Sequence, residues 1–124
     1  MTNLFQDGNF TSAAGLNLPF KIECDALTEN DIQTLAKLIA SRVKFSVVFG
    51  VPTGGSRLAS ALFQYSSWNN NDPVLIVDDV LTTGKSIEEF RHNITSVQHV
   101  IGIVIFARGE CPDWVTPVFE MKIR

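Results

Sequence analysis

Hydrophobic positions recur at helical spacing in three stretches of this chain of 124 residues. The clearest stretch runs from Ile32 to Val43, and Thr28 followed by Asp31 is typical of the capped start of such a helix. The other two predicted helices cover residues 58 to about 65 and 86 to about 93. A helix with one apolar face packs that face against a larger element, here a sheet.

Continuous apolar runs between these helices predict buried strands. The runs are Phe45–Phe49, Val74–Val77 and Val100–Phe106, and Trp114–Met121 predicts a shorter last strand. Strands that alternate with helices form a parallel sheet, and the crossovers of such sheets are right-handed. The predicted fold class is therefore α/β, an open parallel sheet with flanking helices.

The first 28 residues differ from this core. Polar turn formers dominate up to about residue 18, and the alternation of Phe20, Ile22 and Cys24 predicts one half-buried strand. We expect this stretch to form a small lobe on the core. Residues 1–124 would then be one domain, with residues 29–124 as its α/β core.

Composition narrows the class of protein. The chain is 45% hydrophobic and 19% charged, as in ordinary globular domains, and its formal net charge of -3 gives no reason to expect nucleic-acid or membrane binding. No N-terminal apolar segment follows a basic region, and no apolar run is long enough for a bilayer. Cys24 and Cys111 are too few for a disulfide scaffold. We expect a soluble, cytoplasmic protein without nucleic-acid or membrane partners.

The segment Val74–Ser86 combines two kinds of chemistry. Asp78 and Asp79 follow the buried strand, at the edge of a parallel sheet where ligands bind. Two adjacent carboxylates need hydroxyl donors or a cation, which a ribose diol and Mg²⁺ would supply. A turn at the start of the next helix then offers backbone N–H groups and hydroxyls, which favours a phosphate. The turn consists of Thr82, Thr83, Gly84, Lys85 and Ser86.

The end of this turn is also the end of a P-loop signature, which binds nucleoside triphosphates. That signature requires a glycine five residues before Gly84, and position 79 is Asp. We therefore reject a nucleoside-triphosphatase.

A second loop, Gly50–Arg57, follows the predicted strand Phe45–Phe49 and should open onto the same edge of the sheet. Gly54 and Gly55 would allow close backbone approach to a ligand, and Arg57 could pair with phosphate oxygens. Two anion sites beside a diol site fit a ribose that carries phosphates at both ends.

Together, these segments resemble the type I phosphoribosyltransferases. Val74–Ser86 is similar to the family's motif for phosphoribosyl pyrophosphate (PRPP), and Gly50–Arg57 is similar to its pyrophosphate loop. Phe20–Asp25, after Gly8–Ser12, resembles the N-terminal hood of the orotate phosphoribosyltransferases, which lies over the base. The resemblance implies a type I phosphoribosyltransferase-like sheet with a small N-terminal hood segment.

The resemblance also implies a reaction. Ribose 5-phosphate would pass from PRPP to a nucleobase, orotate or another base, with release of pyrophosphate and with Mg²⁺ as cofactor. Asp78, Asp79 and Arg57 would be catalytic, and the two acids would hold the ribose and, through ribose or water, the metal. The family usually dimerises, so a homodimer is expected. The 5-phosphate would bind Thr82, Thr83, Gly84, Lys85 and Ser86, and the pyrophosphate would bind Thr53, Gly54, Gly55, Ser56 and Arg57.

Three residues are candidates for the base pocket: Phe20, Arg108 and Trp114. Arg108 follows the strongest predicted strand, where the family also lines its site, although a surface salt bridge is an equal alternative. Trp114 is either a border of the pocket or part of the core.

The chain departs from the family's pattern before the motif strand. Type I enzymes usually carry a long basic mobile loop there, but no lysine or arginine occurs from Leu58 through Gly84, and only Ser66–Pro73 is available as a loop. We therefore expect an enzyme that is slow, or one completed by a partner subunit. The alternatives are a non-catalytic regulatory protein that binds PRPP or a nucleotide, and a domain that retains the fold alone.

Overall fold

The computed structural model describes residues 3–11, 17–94 and 99–121, without the side chains of residues 7, 9–11 and 17–21. Its helices and strands alternate after an N-terminal pair of strands. In chain order they are β1 (Phe5–Thr11), β2 (Asn17–Ile22), α1 (Glu29–Arg42), β3 (Val48–Gly50), α2 (Ser56–Leu62), β4 (Val74–Leu81), α3 (Lys85–Asn93), β5 (Val100–Ala107) and β6 (Val115–Glu120). None of the helices in these ranges has the length and apolar character that crossing a bilayer requires.

The core is a four-stranded parallel sheet in the order β3-β4-β5-β6, covered on both faces. Successive residues of β4 face opposite sides: Leu75 and Val77 pack with α1 and α2, whereas Val74 and Ile76 pack with α3. Burial on both faces is the reason for the unbroken apolar run in β4. The predicted α/β fold class, an open parallel sheet with flanking helices, is confirmed.

The two helical crossovers of this sheet have opposite hands. The connections β3–α2–β4 and β4–α3–β5 step in the same direction across the sheet, yet α2 and α3 lie on opposite faces. Two crossovers of the same hand would place both helices on one face. The expectation of right-handed crossovers throughout is therefore wrong for one of them.

The N-terminal lobe is a hairpin of two antiparallel strands, where the sequence predicted one strand. β1 was missed because its polar residues resemble a turn, and its pairing with β2 shifts register between Asp7 and Phe10. Gly8 has a φ of 134° in this irregular stretch, which glycine tolerates. The ring of Phe5 meets Phe106 of β5 edge to face, with centroids 6.0 Å apart, and so attaches the hairpin to the core.

The first core strand is shorter than predicted and shifted along the chain. Phe45 and Ser46 lie before β3, and Phe45 is buried between α1, α2 and the sheet. The N–H of Ser46 donates to the carbonyl of Pro73 at 2.8 Å. Phe45 therefore packs in the core although it is not part of a strand. An apolar run in the sequence does not distinguish such a residue from a strand residue.

The predicted start of α1 is confirmed in detail. Thr28 caps the helix, with its Oγ1 accepting from the N–H of Asp31 at 3.0 Å and the Asp31 carboxylate accepting from the N–H of Thr28 at 2.9 Å. Both bonds satisfy amides that the helix itself leaves without partners.

We expect Thr28→Ala to lower the free energy of unfolding by about 1 kcal/mol, because the helix loses its capping oxygen. Thr34→Ala is the control, since Thr34 is an exposed threonine within the same helix and should change stability by less than about 0.5 kcal/mol. Urea denaturation measures both values. Equal stability of Thr28→Ala and wild type would contradict the capping role.

Candidate functional site

The candidate site lies where the sheet's helices diverge, at the carboxyl ends of β3 and β4. After β3 the chain turns towards α2 on one face, and after β4 it turns towards α3 on the other. Such a switch point leaves a crevice, which is where ligands of open parallel sheets bind. β4 continues to Leu81, beyond its last pairing with β3 at Val77, so Asp78 and Asp79 border this crevice.

Asp78 and Asp79 form a closely coupled pair. Asp78 is only 8% exposed, and its Oδ1 accepts from the N–H of Asp79 at 2.8 Å. Oδ1 of Asp79 accepts from the N–H of Val80 at 2.7 Å. Burial, together with the side-chain hydrogen bond and the charge of Asp79, raises the pKa of Asp78 to about 8. A cation or hydroxyl donors at this point would stabilise the ionised pair, as its sequence suggested.

The loop that the sequence assigned to the 5-phosphate connects β4 to α3. Gly84 has a left-handed backbone with a φ of 82°, which lets the chain turn from β4 into α3. The loop and Asp78 line one cavity of about 290 Å³. Lys85 is largely exposed, with its Nζ 3.9 Å from Glu89. Glu89 and four apolar residues complete the lining of the cavity: Val80, Leu81, Ile87 and Val104. The loop residues that line it are Thr82, Thr83, Gly84, Lys85 and Ser86.

The predicted pyrophosphate loop rests directly on the acids. A Cβ atom on Gly54 would lie 2.5 Å from Oδ1 of Asp79, and one on Gly55 would collide with the carbonyl of Val77. Only glycine permits this approach. The peptide bond between Pro52 and Thr53 is cis.

Two amides of the same loop are already engaged within it. The N–H of Gly55 donates to the carbonyl of Val51 at 2.8 Å, and the N–H of Ser56 donates to the carbonyl of Thr53 at 3.1 Å. A pyrophosphate oxygen would compete with these acceptors.

The guanidinium of Arg57 is bonded to backbone carbonyls outside the loop Thr53–Ser56. Its Nη2 donates to the carbonyl of Leu27 at 2.8 Å and its Nη1 to the carbonyl of Cys24 at 3.4 Å. Both acceptors belong to the chain between β2 and α1. The structure therefore separates Arg57 from the loop residues Thr53–Ser56, with which the sequence grouped it.

Arg108 lies close to the phosphate loop. Its N–H donates to the carbonyl of Leu81 at 2.8 Å, and a Cβ atom on the following Gly109 would collide with the carbonyl of Thr82. The side chain is 5% exposed, and this burial lowers its pKa.

Trp114 is part of the core and lies away from the site, which corrects its assignment to the base pocket. Its ring packs against Gly102, near the start of β5, and its Nε1 donates to Glu88 of α3. The guanidinium of Arg91 lies 4.7 Å above the ring. The reason is topological, since Trp114 precedes β6 and so lies at the amino edge of a parallel sheet. Phe20 is in β2, but its side chain lies outside the described part of the structure.

Cys24 is a neighbour of the site that the sequence did not reveal. It lies in a short 3-10 turn (Cys24–Ala26) after β2 and is 7% exposed. Burial, followed by the nearby charge of Asp79, raises the pKa of its thiol to about 12. The turn therefore brings the hairpin's end close to the acids. In the sequence, the alternation of Cys24 with Phe20 and Ile22 indicated only that Cys24 belongs to a strand.

The loop Ser66–Pro73 lies at the opposite edge of the sheet from the crevice. Ser67 and Trp68 donate their N–H groups to the carbonyls of Phe45 and Ser46, which precede β3. The ring of Trp68 also meets Phe63 edge to face at 5.5 Å. This loop therefore cannot fold over the acids, and the basic lid that the sequence lacks has no substitute there.

The acids fit a metal that is shared with a ligand. Among residues 3–11, 17–94 and 99–121, no group of three or more His, Cys, Asp and Glu side chains is placed to hold a metal ion by itself. Asp78 and Asp79 nevertheless offer carboxylate oxygens at one point. Mg²⁺ commonly takes one or two carboxylates and completes its shell with water and phosphate oxygens.

The fold is that of the type I phosphoribosyltransferases. The chain is similar to orotate phosphoribosyltransferase from Aeropyrum pernix, with a TM-score of 0.70 and 24% identity over 94% of this chain and 88% of that one. It is similar to UMP synthase from Leishmania donovani, with a TM-score of 0.75 and 20% identity over 95% of this chain and 34% of that one.

Orotate phosphoribosyltransferase from Francisella tularensis gives a TM-score of 0.62 and 19% identity over 94% of this chain and 80% of that one. No protein-family model matches the sequence. A search of curated proteins gives no significant match either. At these identities the likeness establishes the fold.

We expect Asp78→Asn to increase the free energy of unfolding at pH 8 by at least about 1 kcal/mol in the absence of ligand. The unfolded carboxyl ionises above its ordinary pKa of 3.8, whereas the folded one keeps its proton up to about pH 8. The contribution of wild-type Asp78 to stability is therefore present at low pH and declines as pH rises between these values. An amide can accept the Asp79 N–H without this penalty.

Urea denaturation at pH 5 and pH 8 tests this expectation, with Asp113→Asn as a control at an exposed position. The advantage of Asp78→Asn over wild type should grow with pH, and that of Asp113→Asn should not. A pH-independent difference for Asp78→Asn would contradict burial of a protonated carboxyl.

Proposed function

We propose that this protein is a phosphoribosyltransferase that transfers ribose 5-phosphate from PRPP to a nucleobase and releases pyrophosphate. The observation that carries the proposal is the convergence of one acid pair and two glycine loops at a single switch point. Similarity in fold to solved structures of orotate phosphoribosyltransferases supports it. Orotate is one candidate base.

Each part of the site has a role in this reaction. Asp78 and Asp79 would accept hydrogen bonds from the ribose hydroxyls and face the positive charge that develops on the sugar as pyrophosphate leaves. The turn Thr82–Ser86 would hold the 5-phosphate and so orient the sugar. Mg²⁺, when bound by the acids through ribose or water, would supply charge to the pyrophosphate. The chain's own contribution is thus mainly positioning and electrostatics.

The rate is expected to be low. Arg57 is engaged elsewhere and the loop Ser66–Pro73 is remote from the crevice, so few donors remain for the leaving group. Loss of one preorganised donor typically costs about a hundredfold in rate. We also propose a homodimer and a cytoplasmic location, which sedimentation and cell fractionation would test.

The same observations favour a second candidate function, a non-catalytic regulatory protein that binds PRPP or a nucleotide. Engaged amides at Gly55 and Ser56 and the absence of basic residues from Leu58 through Gly84 weaken turnover more than ribose phosphate binding. The acid pair and the turn Thr82–Ser86 would suffice for a sensor.

We expect wild-type protein, PRPP and Mg²⁺ to release pyrophosphate with at least one base from a panel that includes orotate and the common pyrimidines and purines. The measurement is an enzyme-coupled pyrophosphate assay, and a chelator in excess of Mg²⁺ is the control. Tight PRPP binding without pyrophosphate release for every base would exclude the transferase and support the sensor.

We expect Asp78→Asn combined with Asp79→Asn to abolish PRPP binding in titration calorimetry, because both acceptors for the ribose diol lose their charge. Glu29→Gln combined with Asp113→Asn is the matched control, since it removes the same two charges at exposed positions. PRPP affinity equal to wild type in the acid-pair variant would show that the ligand binds elsewhere.

A further inference from the structure

Arg57 occupies a junction between three parts of the site. It is the second residue of α2, immediately after the loop whose Gly54 lies against Asp79. Its guanidinium reaches back to the segment that connects the N-terminal hairpin to α1. The side chain is half-buried between these elements.

We propose that Arg57 is a positioning residue and not a ligand of pyrophosphate. It fastens the segment between the N-terminal hairpin (the hood) and α1 to the pyrophosphate loop. The assignment of the hood and the loop to base and pyrophosphate rests on the proposed function. The clamp itself rests only on the contacts of this chain.

The geometry of the clamp uses the guanidinium's two outer nitrogens. Nη2 donates to the carbonyl of Leu27 at 2.8 Å, and Nη1 donates to that of Cys24 at 3.4 Å. These two carbonyls lie at either end of the turn Cys24–Ala26, whose Leu27 N–H donates to Cys24. A planar fork of donors suits such a pair of acceptors better than a single ammonium group does.

The clamp attaches the end of the hairpin to the start of α2, next to the loop that contacts Asp79. Cys24 is buried close enough to Asp79 for that carboxylate to raise the pKa of its thiol. The backbone of Gly54 lies against the carboxylate of Asp79. Arg57 therefore connects the end of the hairpin to the loop that contacts Asp79.

Redirecting Arg57 to pyrophosphate would sacrifice these contacts. Its Nη atoms would leave the carbonyls of Cys24 and Leu27, and the turn would lose its attachment to α2. Charged donors on backbone carbonyls are among the stronger hydrogen bonds in proteins. Loss of Arg57 should consequently loosen the hood's connection and weaken binding of the base, while the pyrophosphate loop keeps its own internal bonds.

The test compares Arg57→Gln and Arg57→Lys with wild type, with Arg42→Gln as a control that removes an exposed arginine from the end of α1. Hydrogen exchange without ligand reports on the amides of Ala26 and Leu27, which donate to Glu23 and Cys24. Calorimetry measures the Kd of pyrophosphate with Mg²⁺, and steady-state kinetics separate KM for the base from kcat.

We expect Arg57→Gln to speed exchange at both amides by about tenfold, with Arg57→Lys intermediate because it keeps one donor. The pyrophosphate Kd should change less than about twofold, and KM for the base should rise by about tenfold with a smaller change in kcat. Arg42→Gln should match wild type in every measurement.

A tenfold or greater loss of pyrophosphate affinity with unchanged exchange at Ala26 and Leu27 would overturn the proposal and make Arg57 a pyrophosphate ligand. If wild-type protein binds no pyrophosphate, the proposed function fails while the exchange data still decide the clamp. If Arg57→Gln does not fold, the same measurements on Arg57→Lys decide between the two roles.

Discussion

The burial of one carboxyl group beside a second one is the constraint on which the rest of this site depends. Asp78 is almost buried, and Asp79 lies against the backbone of Gly54. Without a ligand, the pair settles by keeping a proton on Asp78, which is why burial and Asp79 raise its pKa to about 8. Such an arrangement lowers the stability of the ligand-free protein, and a ligand that stabilises the acids would offset this loss.

The sheet's topology explains why the acids are accessible at all. β4 extends past β3, and the helices that follow the two strands leave to opposite faces. This divergence opens the crevice and also requires crossovers of opposite hand. In doubly wound sheets the helices usually diverge where the order of the strands reverses across the sheet. Here the described core strands lie side by side in the order in which they occur along the chain. The site therefore keeps a switch point in a sheet of only four strands.

Sequence predicted well wherever one local pattern determines one structure. Thr28 and Asp31 predicted the start of α1, and the glycine-containing turn after Asp79 predicted where the chain passes from β4 into α3. Prediction failed where tertiary contacts decide. Trp114 lies at the edge opposite the site because of strand direction, and β1 forms only by pairing with β2. Arg57 beside a glycine loop suggested a phosphate ligand, yet its acceptors lie about thirty residues earlier in the chain.

The position of Ser66–Pro73 has a consequence for timing. In many enzymes a loop must close before chemistry and reopen before products leave, and that motion sets the turnover rate. Here the loop is bonded to the amino edge of the sheet, through Phe45 and Ser46. The loop Ser66–Pro73 would therefore not act as a conformational gate over the crevice. If the protein turns over, opening of this loop would not be its slowest step, and a rate limited by bond breaking at the sugar would respond to the base's nucleophilicity more than to solvent viscosity.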